Sequence, residues 1–408
     1  VSELVAYLCG RRAGRLIRKD NGNLQFRYDD GYDGPPLSQV LPVQDEAHPH
    51  AVCRAVFGGL LLEGEARATL ARAFGLSAAN DFGLLQEVGG DCAGAIVLLQ
   101  DDNPSTAEPE QRILDDDALD RLLRELPQRP LAADPEDGIR LSLAGAQPKV
   151  PLIFGDDGAR AIPLNSAAPT THILKPEPAA YPGLVDNEAF CMALARACEL
   201  PVAAVRKETT RSGLAYLVVE RYDRDLTTDP IRRLHQEDVC QALGVPSDRK
   251  YQAEGGPGVR DTVELIRRAT GVPAQELPRF LRALVLNWLI GNCDAHAKNF
   301  SLLYDRGAPT LAPSYDLVST VVYPQLTTRL AMNVGGATRL EQVGADDAWL
   351  ALARQIGVRP AFVLKIRDEL ASRAATEAAR LVEGAHANET ARTIAARVVS
   401  SAEALGNR

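Results

Sequence analysis

A chain of 408 residues, 46% hydrophobic and 24% charged, has ordinary globular composition, and at roughly 150 residues per domain it has room for two or three cores. Its net charge of −9 has the wrong sign for a free-standing nucleic-acid binder, whose affinity comes from Lys and Arg on phosphates. No apolar run reaches the roughly 18 to 20 residues of a membrane span, and the seven scattered cysteines never fall in a CxxC spacing. The chain opens at Val1 rather than Met, without a signal-peptide pattern and with room for a few native residues ahead of it. A cytoplasmic protein with no disulfide framework, no zinc ribbon and no membrane segment is expected.

Strands are expected at Leu4–Leu8 and Leu24–Tyr28, an amphipathic helix in LLLEGEARATLARAFGL, and a closing strand at Ala95–Leu99. Residues 101–137 carry twelve Asp and Glu against four Arg. In that stretch DDNPSTAEPEQ reads as a linker and Asp117–Leu126 as a helix; PLAADPEDG then breaks the pattern and sets a boundary near residue 135. Further strands are expected at Ile139–Leu141, at Val150–Phe154 and Ala159–Leu164 around the turn GDDG, at Thr171–Leu174, and at Ala215–Val219. Between them Asp186 is a candidate cap for a helix from Asn187 to Cys198. After about residue 235 the chain reads as helical, interrupted by one hairpin at 300–316. Three consecutive segments are therefore expected: an α/β subdomain over 1–135, a strand-rich core over 136–225 and a helical lobe over 226–408.

The stretch NCDAHAKNFSLLY (292–304) follows an apolar helix over Phe280–Leu289 and Gly291. Asn299 stands five residues after Asp294, the D-x-x-x-x-N spacing in which a carboxylate accepts a hydroxyl proton and an amide holds metal. Asp316, in SYDLVS, follows the hairpin. Asn299 and Asp316 are thus oxygen donors suited to Mg²⁺ completed by phosphate oxygens. Alone this spacing is common. Order strengthens it, because SLAGAQPK (142–149) between two strands, Lys175 at a strand end and Glu220-Arg221-Tyr222 after a strand all precede the loop. Ala144, Gly145 and Ala146 are small enough for backbone N–H groups to approach phosphate, with Gln147 beside them and Lys149 adding a charge. Glu188 is a candidate partner for Lys175. His296 reads as a structural or charge-tuning neighbour of the loop and, with Lys298, joins the ATP-binding candidates. The other five histidines (His48, His50, His172, His235 and His386) have no ligand spacing, which argues against a metal hydrolase.

SLAGAQPK, THILKP, NEAF, VERYDR, HQEDVCQALG, KYQAEGGPG, NCDAHAKNFS and SYDLVS together resemble the kinase core of the HipA family of bacterial serine/threonine protein kinases, the toxins of toxin–antitoxin pairs. LLLEGEARATLARAFGLSAANDFGLLQEVGGDCAGAI is similar to that family's N-terminal subdomain. The resemblance implies an α+β, protein-kinase-like two-lobed fold, related to phosphoinositide kinases, with a strand-rich N-terminal part and an all-helical C-terminal lobe. It implies ATP and Mg²⁺ as cofactors, bound in a cleft between the lobes. By the same resemblance Asp294 is the base, Asn299 and Asp316 hold magnesium, and Lys175 contacts the α/β phosphates. Glu220 and Tyr222 lie at the adenine hinge, and Ser142 is the autophosphorylated switch. Where Pro148 stands, the family pattern has Glu. The implied partners are a helix-turn-helix antitoxin (HipB-like), operator DNA through it, and a protein substrate of the glutamyl-tRNA synthetase kind. A small-molecule or lipid phosphotransferase, and a non-catalytic nucleotide-binding co-repressor scaffold, are the alternative readings.

Overall fold

The computed structural model describes residues 2–100, 108–133, 139–155, 158–305 and 307–406. The acidic linker at 101–107, the boundary near 135 and the centre of the GDDG turn lie outside the described residues. The chain forms two compact units: Val1–Pro178 with Glu208–Asp248 and Leu303–Asp305, and Ala179–Lys207 with Arg249–Leu302 and Arg306–Arg408. Three consecutive segments do not describe this division. Helix Leu184–Ala197 belongs to the second unit, where it buries apolar residues such as Phe190 and Leu194, and the strand His235–Asp238 to the first, where Glu237 is bonded to Ser38 and Gln39.

In the first unit four antiparallel strands run in the order Leu24–Tyr28, Arg11–Arg18, Ser2–Leu8, Ile96–Leu99. Leu4, Ala6 and Leu8 point into a core shared with Leu16, Phe26 and Phe57, while Val5 and Tyr7 pack with Val97 and Leu99 on the opposite face. The sequence reading passed over Arg11–Arg18, because its four arginines mask the alternation that buries Ala13 and Leu16. Arg12 pairs with Asp29 at 2.6 Å on the outer side. A second sheet holds, in order, Gln111–Leu114, Arg160–Pro163, Val150–Phe154, His172–Pro176, Ala215–Glu220 and Val205–Thr209. The expected strand at Ile139–Leu141 is only an isolated bridge from Leu141 to Asp91, with the Arg140 guanidinium donating to the Gln86 carbonyl.

HQEDVCQALG is a strand end followed by a short helix, Val239–Ala242, which Asp238 and Gln241 cap reciprocally. Here Glu237 is 1% exposed; its carboxylate accepts Ser38 Oγ at 2.5 Å, the Gln39 N–H at 3.1 Å and the Tyr304 hydroxyl. Burial raises the Glu237 carboxyl to about 7, against the lowering effect of these donors. A folded-state value above the unfolded one means stability that is full below about pH 4.5 and is lost as pH rises through 7. Glu237→Gln is therefore expected to flatten the fall in melting temperature between about pH 5 and pH 7.5. Thermal melts of both proteins across that window check this, and equal slopes would refute it.

The second unit is built on Pro273–Ile290, Pro360–Val382 and Glu389–Gly406, with Trp288 edge-on to Trp349 at 5.7 Å. It is not all-helical. It carries a hairpin of Arg329–Val334 and Ala337–Arg339 around Gly335-Gly336, while the strand Ser301–Tyr304 of the pair expected near 300–316 lies partly in the first unit. Asp186 does not cap its helix. The chain enters through Gly183 at φ 79°, so the helix begins at Leu184 and Asp186 sits in the first turn, paired with Lys207 at 2.5 Å.

Candidate active site

Helix Pro273–Ile290 ends because Gly291, at φ 74°, adopts the left-handed conformation that closes it. From there an amide relay positions the loop. Asn292 donates through its backbone to the Asn287 carbonyl and through Nδ2 to Asn287 Oδ1, both at 2.8 Å, and its own Oδ1 accepts the Asp294 N–H at 3.0 Å. Asp294 is exposed, and Tyr251 Oη donates to its Oδ1 at 2.9 Å. Tyr251 stands edge-on to His296 at 5.5 Å. Asn299 Oδ1 accepts the His296 N–H at 3.2 Å. His296 and Lys298 are both buried, at 8% and 7% exposure. For a lysine that burial is unusual and contrasts with a solvated surface side chain.

The Asp316 segment is tied to this loop. Tyr315 Oη donates to the Lys298 carbonyl at 2.8 Å and lies 2.6 Å from Ser301 Oγ. Thr320 Oγ1 accepts the Cys293 N–H at 2.9 Å and donates to the Gly291 carbonyl at 3.0 Å. Asn187 grips the neighbouring Ser319 backbone with two bonds, 2.9 Å to its carbonyl and 2.8 Å from its N–H. Asp316 itself sits at φ 52°, a left-handed backbone that costs a non-glycine residue on the order of 1–2 kcal/mol and that concentrates at functional sites. Among the described residues no group of three or more His, Cys, Asp or Glu side chains forms a metal cluster. Asn299 and Asp316 supply one amide and one carboxylate oxygen, hard donors that fit Mg²⁺ if substrate oxygens and water complete its shell. Asn299 Oδ1 keeps a second lone pair for this.

The remaining candidates lie in the first unit. Lys175 is 5% exposed, opposite Leu217 in the sheet. Glu220, at the end of that neighbouring strand, is exposed, and Tyr222 Oη donates to Gln236 Oε1 at 2.5 Å. SLAGAQPK folds back on itself: Lys149 Nζ donates to the Ala144 carbonyl at 2.5 Å, beneath Gly145 at φ 109°. At that φ a side chain is strained, which favours glycine, and a Cβ would also displace the Lys149 ammonium. Ala146 is exposed, with Ala144 and Gln147 half-buried. The loop is docked on the segment after helix His50–Gly58, with the Glu63 N–H donating to the Gly145 carbonyl at 3.2 Å. Ser142 is fully buried, and its Oγ donates to the Leu60 carbonyl at 2.8 Å.

The sequence reading missed what joins the loop to the Glu220–Tyr222 segment. Asp91, 1% exposed, pairs through its backbone with Arg140 and Ser142, at 2.9 and 3.0 Å. Its carboxylate accepts Thr170 Oγ1 at 2.6 Å, Arg224 at 2.9 Å, and Arg221 and Arg233 at 3.2 Å each. Asp223 takes Arg221 at 2.7 Å and the Gly94 N–H at 2.6 Å. Burial alone would raise the Asp91 carboxyl, but Arg224, Arg221 and Arg233 hold it well below the usual range. The only sequence signal was the charge density of VERYDR beside an apolar strand.

An α+β protein of the kinase-like class is what this fold and these loops define. Residues 4–99 match the HipA N-terminal domain and residues 141–378 the HipA-like C-terminal domain. The chain is 44% identical over 384 residues to Y4mE of Sinorhizobium fredii (strain NBRC 101917 / NGR234), described as a "putative kinase", covering 92% of this chain and 90% of that one. It is 30% identical over 329 residues to the serine/threonine-protein kinase toxin HipA of Shewanella oneidensis MR-1, covering 77% and 74%. The solved complex of Shewanella oneidensis MR-1 HipA, HipB and operator DNA superposes with a TM-score of 0.85 at 24% identity, over 99% of this chain and 97% of that one. This chain belongs to the HipA family and is a HipA-like kinase, a phosphotransferase. No helix among its described residues is long and apolar enough to cross a membrane.

Proposed function

We propose that this protein is an ATP- and Mg²⁺-dependent serine/threonine protein kinase that arrests growth as the toxin of a toxin–antitoxin pair in the cytoplasm. The observation that carries the reading is the joining of the Asp294–Asn299 loop to the Asp316 segment by Tyr315 and Thr320. That construction is what a base and two metal donors held in register require. Asp294 accepts the proton of the substrate hydroxyl, and Tyr251 orients it. Asn299 and Asp316 would hold Mg²⁺, which would supply charge neutralisation for the transferring phosphoryl group. Lys175 contacts the α/β phosphates, with Lys298 adding positive potential near the loop and His296 beside it. Ala144, Gly145, Ala146, Gln147 and Lys149 line the phosphate loop, and Glu220 and Tyr222 the adenine hinge. A HipB-like antitoxin brings this acidic chain to operator DNA, and the protein substrate is an aminoacyl-tRNA synthetase such as glutamyl-tRNA synthetase.

Ser142 is the proposed autophosphorylation site. Its Oγ is occupied by the Leu60 carbonyl, so modification needs the loop to leave its dock, and two negative charges then forbid return. Incubation with Mg-ATP is expected to add one phosphate, mapped to Ser142 by mass spectrometry and absent from Ser142→Ala. Phosphate appearing elsewhere removes the switch; no phosphate on an initially unmodified protein or on any added protein substrate removes the protein-kinase reading.

A further inference from the structure

Helix Leu184–Ala197 has two occupied faces. Asn187 and Cys191 face inward, where Asn187 holds Ser319 three residues from Asp316. About half a turn round, Asp186, Ala189, Ala193 and Arg196 line a cavity of about 830 Å³. Its other walls are the segment 205–207 and the connection between the two C-terminal helices, Arg380–Asn388. This volume lies within the roughly 300–1,000 Å³ of small-molecule sites.

The lining is strongly one-signed. Arg196, Arg206, Lys207 and Arg380 face one lining carboxylate, Asp186, which pairs with Lys207 at 2.5 Å, while Arg380 pairs with Glu377 at 2.8 Å beside the cavity, in a protein whose net charge is −9. Arg196, Arg206, Lys207 and Arg380 are exposed, so a ligand reaches them without first unburying them. Beside the charges lies an apolar floor of Ala189, Met192 and Ala193, with Leu381 opposite. Arginine forks match phosphate oxygens bidentately, and a small apolar floor accepts a flat ring. Neither feature is used by the reaction described above.

We propose that this cavity binds a phosphate-bearing ligand with a flat apolar group, a nucleotide-class anion, and that its occupancy biases phosphoryl transfer through helix Leu184–Ala197. A ligand held by Arg196 on one face of the helix fixes the Asn187 clamp on the other, and with it the segment carrying Asp316. The binding half stands by itself; the coupling half rests on the kinase reading.

The test titrates the full chain calorimetrically with GTP and with inorganic tripolyphosphate, beside the Arg196→Glu/Arg206→Glu variant, so that a site lost on charge reversal is read apart from the ATP site. One further site is expected, weakening as salt rises, with GTP the tighter ligand. Arg196→Glu combined with Arg206→Glu is expected to weaken it about tenfold or more, and the corresponding pair of Arg→Lys changes much less. The melting temperature of each variant checks that the fold is kept. No binding below about 1 mM, or binding indifferent to the charge reversal, overturns the site. Equal affinity for both probes overturns the apolar-ring assignment. For the coupling, tripolyphosphate is expected to change the rate of Ser142 phosphorylation at least about twofold in the parent and not in the charge-reversed variant. An unchanged parent rate overturns coupling. A parent that transfers no phosphate at all fails the kinase reading instead, and the calorimetry still decides the cavity.

Discussion

Asp294→Asn is expected to slow phosphoryl transfer about 10²–10⁴-fold, equivalent to about 3–5 kcal/mol of barrier, with the melting temperature shifted by no more than about 2 °C. The two effects separate because of where the side chain sits. Asp294 is exposed, and its side-chain bond from Tyr251 Oη survives the change to an amide oxygen. The relay from Asn287 through Asn292 reaches the Asp294 backbone and is untouched. What disappears is an acceptor for the substrate proton. Tyr251→Phe is expected to act more mildly, lowering kcat by less than about tenfold, since it removes an orienting donor rather than the base. Single-turnover phosphorylation with matched thermal melts checks both. Transfer within about twofold of the parent in Asp294→Asn would show that the base is elsewhere.

Asp91→Ala should cost about 3–5 kcal/mol of stability and lower the urea midpoint of the first unit correspondingly. Two buried carboxylates, Asp91 and Asp223, face the guanidiniums of Arg221, Arg224 and Arg233; the first two of these are at most 1% exposed. Removing Asp91 leaves those cations with one carboxylate and Thr170 without its acceptor. The loss extends to the site, because Asp91 joins Ser142 to the segment carrying Tyr222. Its pH dependence runs opposite to that of Glu237. The folded Asp91 carboxyl is held below its unfolded value, so its contribution is present above about pH 4 and is lost as pH falls further. Urea unfolding at pH 7 and at about pH 2.5 measures both effects. A midpoint unchanged at pH 7 would show that the cluster contributes no net stability.

The loops of the site were more legible than their supports. Asp294, Asn299 and Asp316 could be picked out because their chemistry fixes residue type and spacing within a short stretch. The Asp91 cluster could not, because its members lie at 91, 170, 221, 223, 224 and 233, and nothing local marks a carboxylate as buried. Tyr251 was visible only as part of a motif. Its bond to Asp294 spans 43 residues and exists only once helices have packed. Ser142 was legible as a hydroxyl at the start of a loop; its complete burial against Leu60 depends on a segment 82 residues away.

The same division holds for the fold. The sequence by itself determined the strands at Leu24–Tyr28 and Val150–Phe154 and the helix that ends at Gly291, since alternation, helical spacing and a left-handed glycine are local properties of the backbone. It also determined family membership, through motifs spread over most of the chain. Only the tertiary structure decided that helix Leu184–Ala197 joins the second unit, and that the four arginines of Arg11–Arg18 decorate a strand. It alone gathered Arg196, Arg206, Lys207 and Arg380 around one cavity. Burial and long-range pairing are free energies of the packed chain, and a residue carries no local sign of which distant partner will satisfy it.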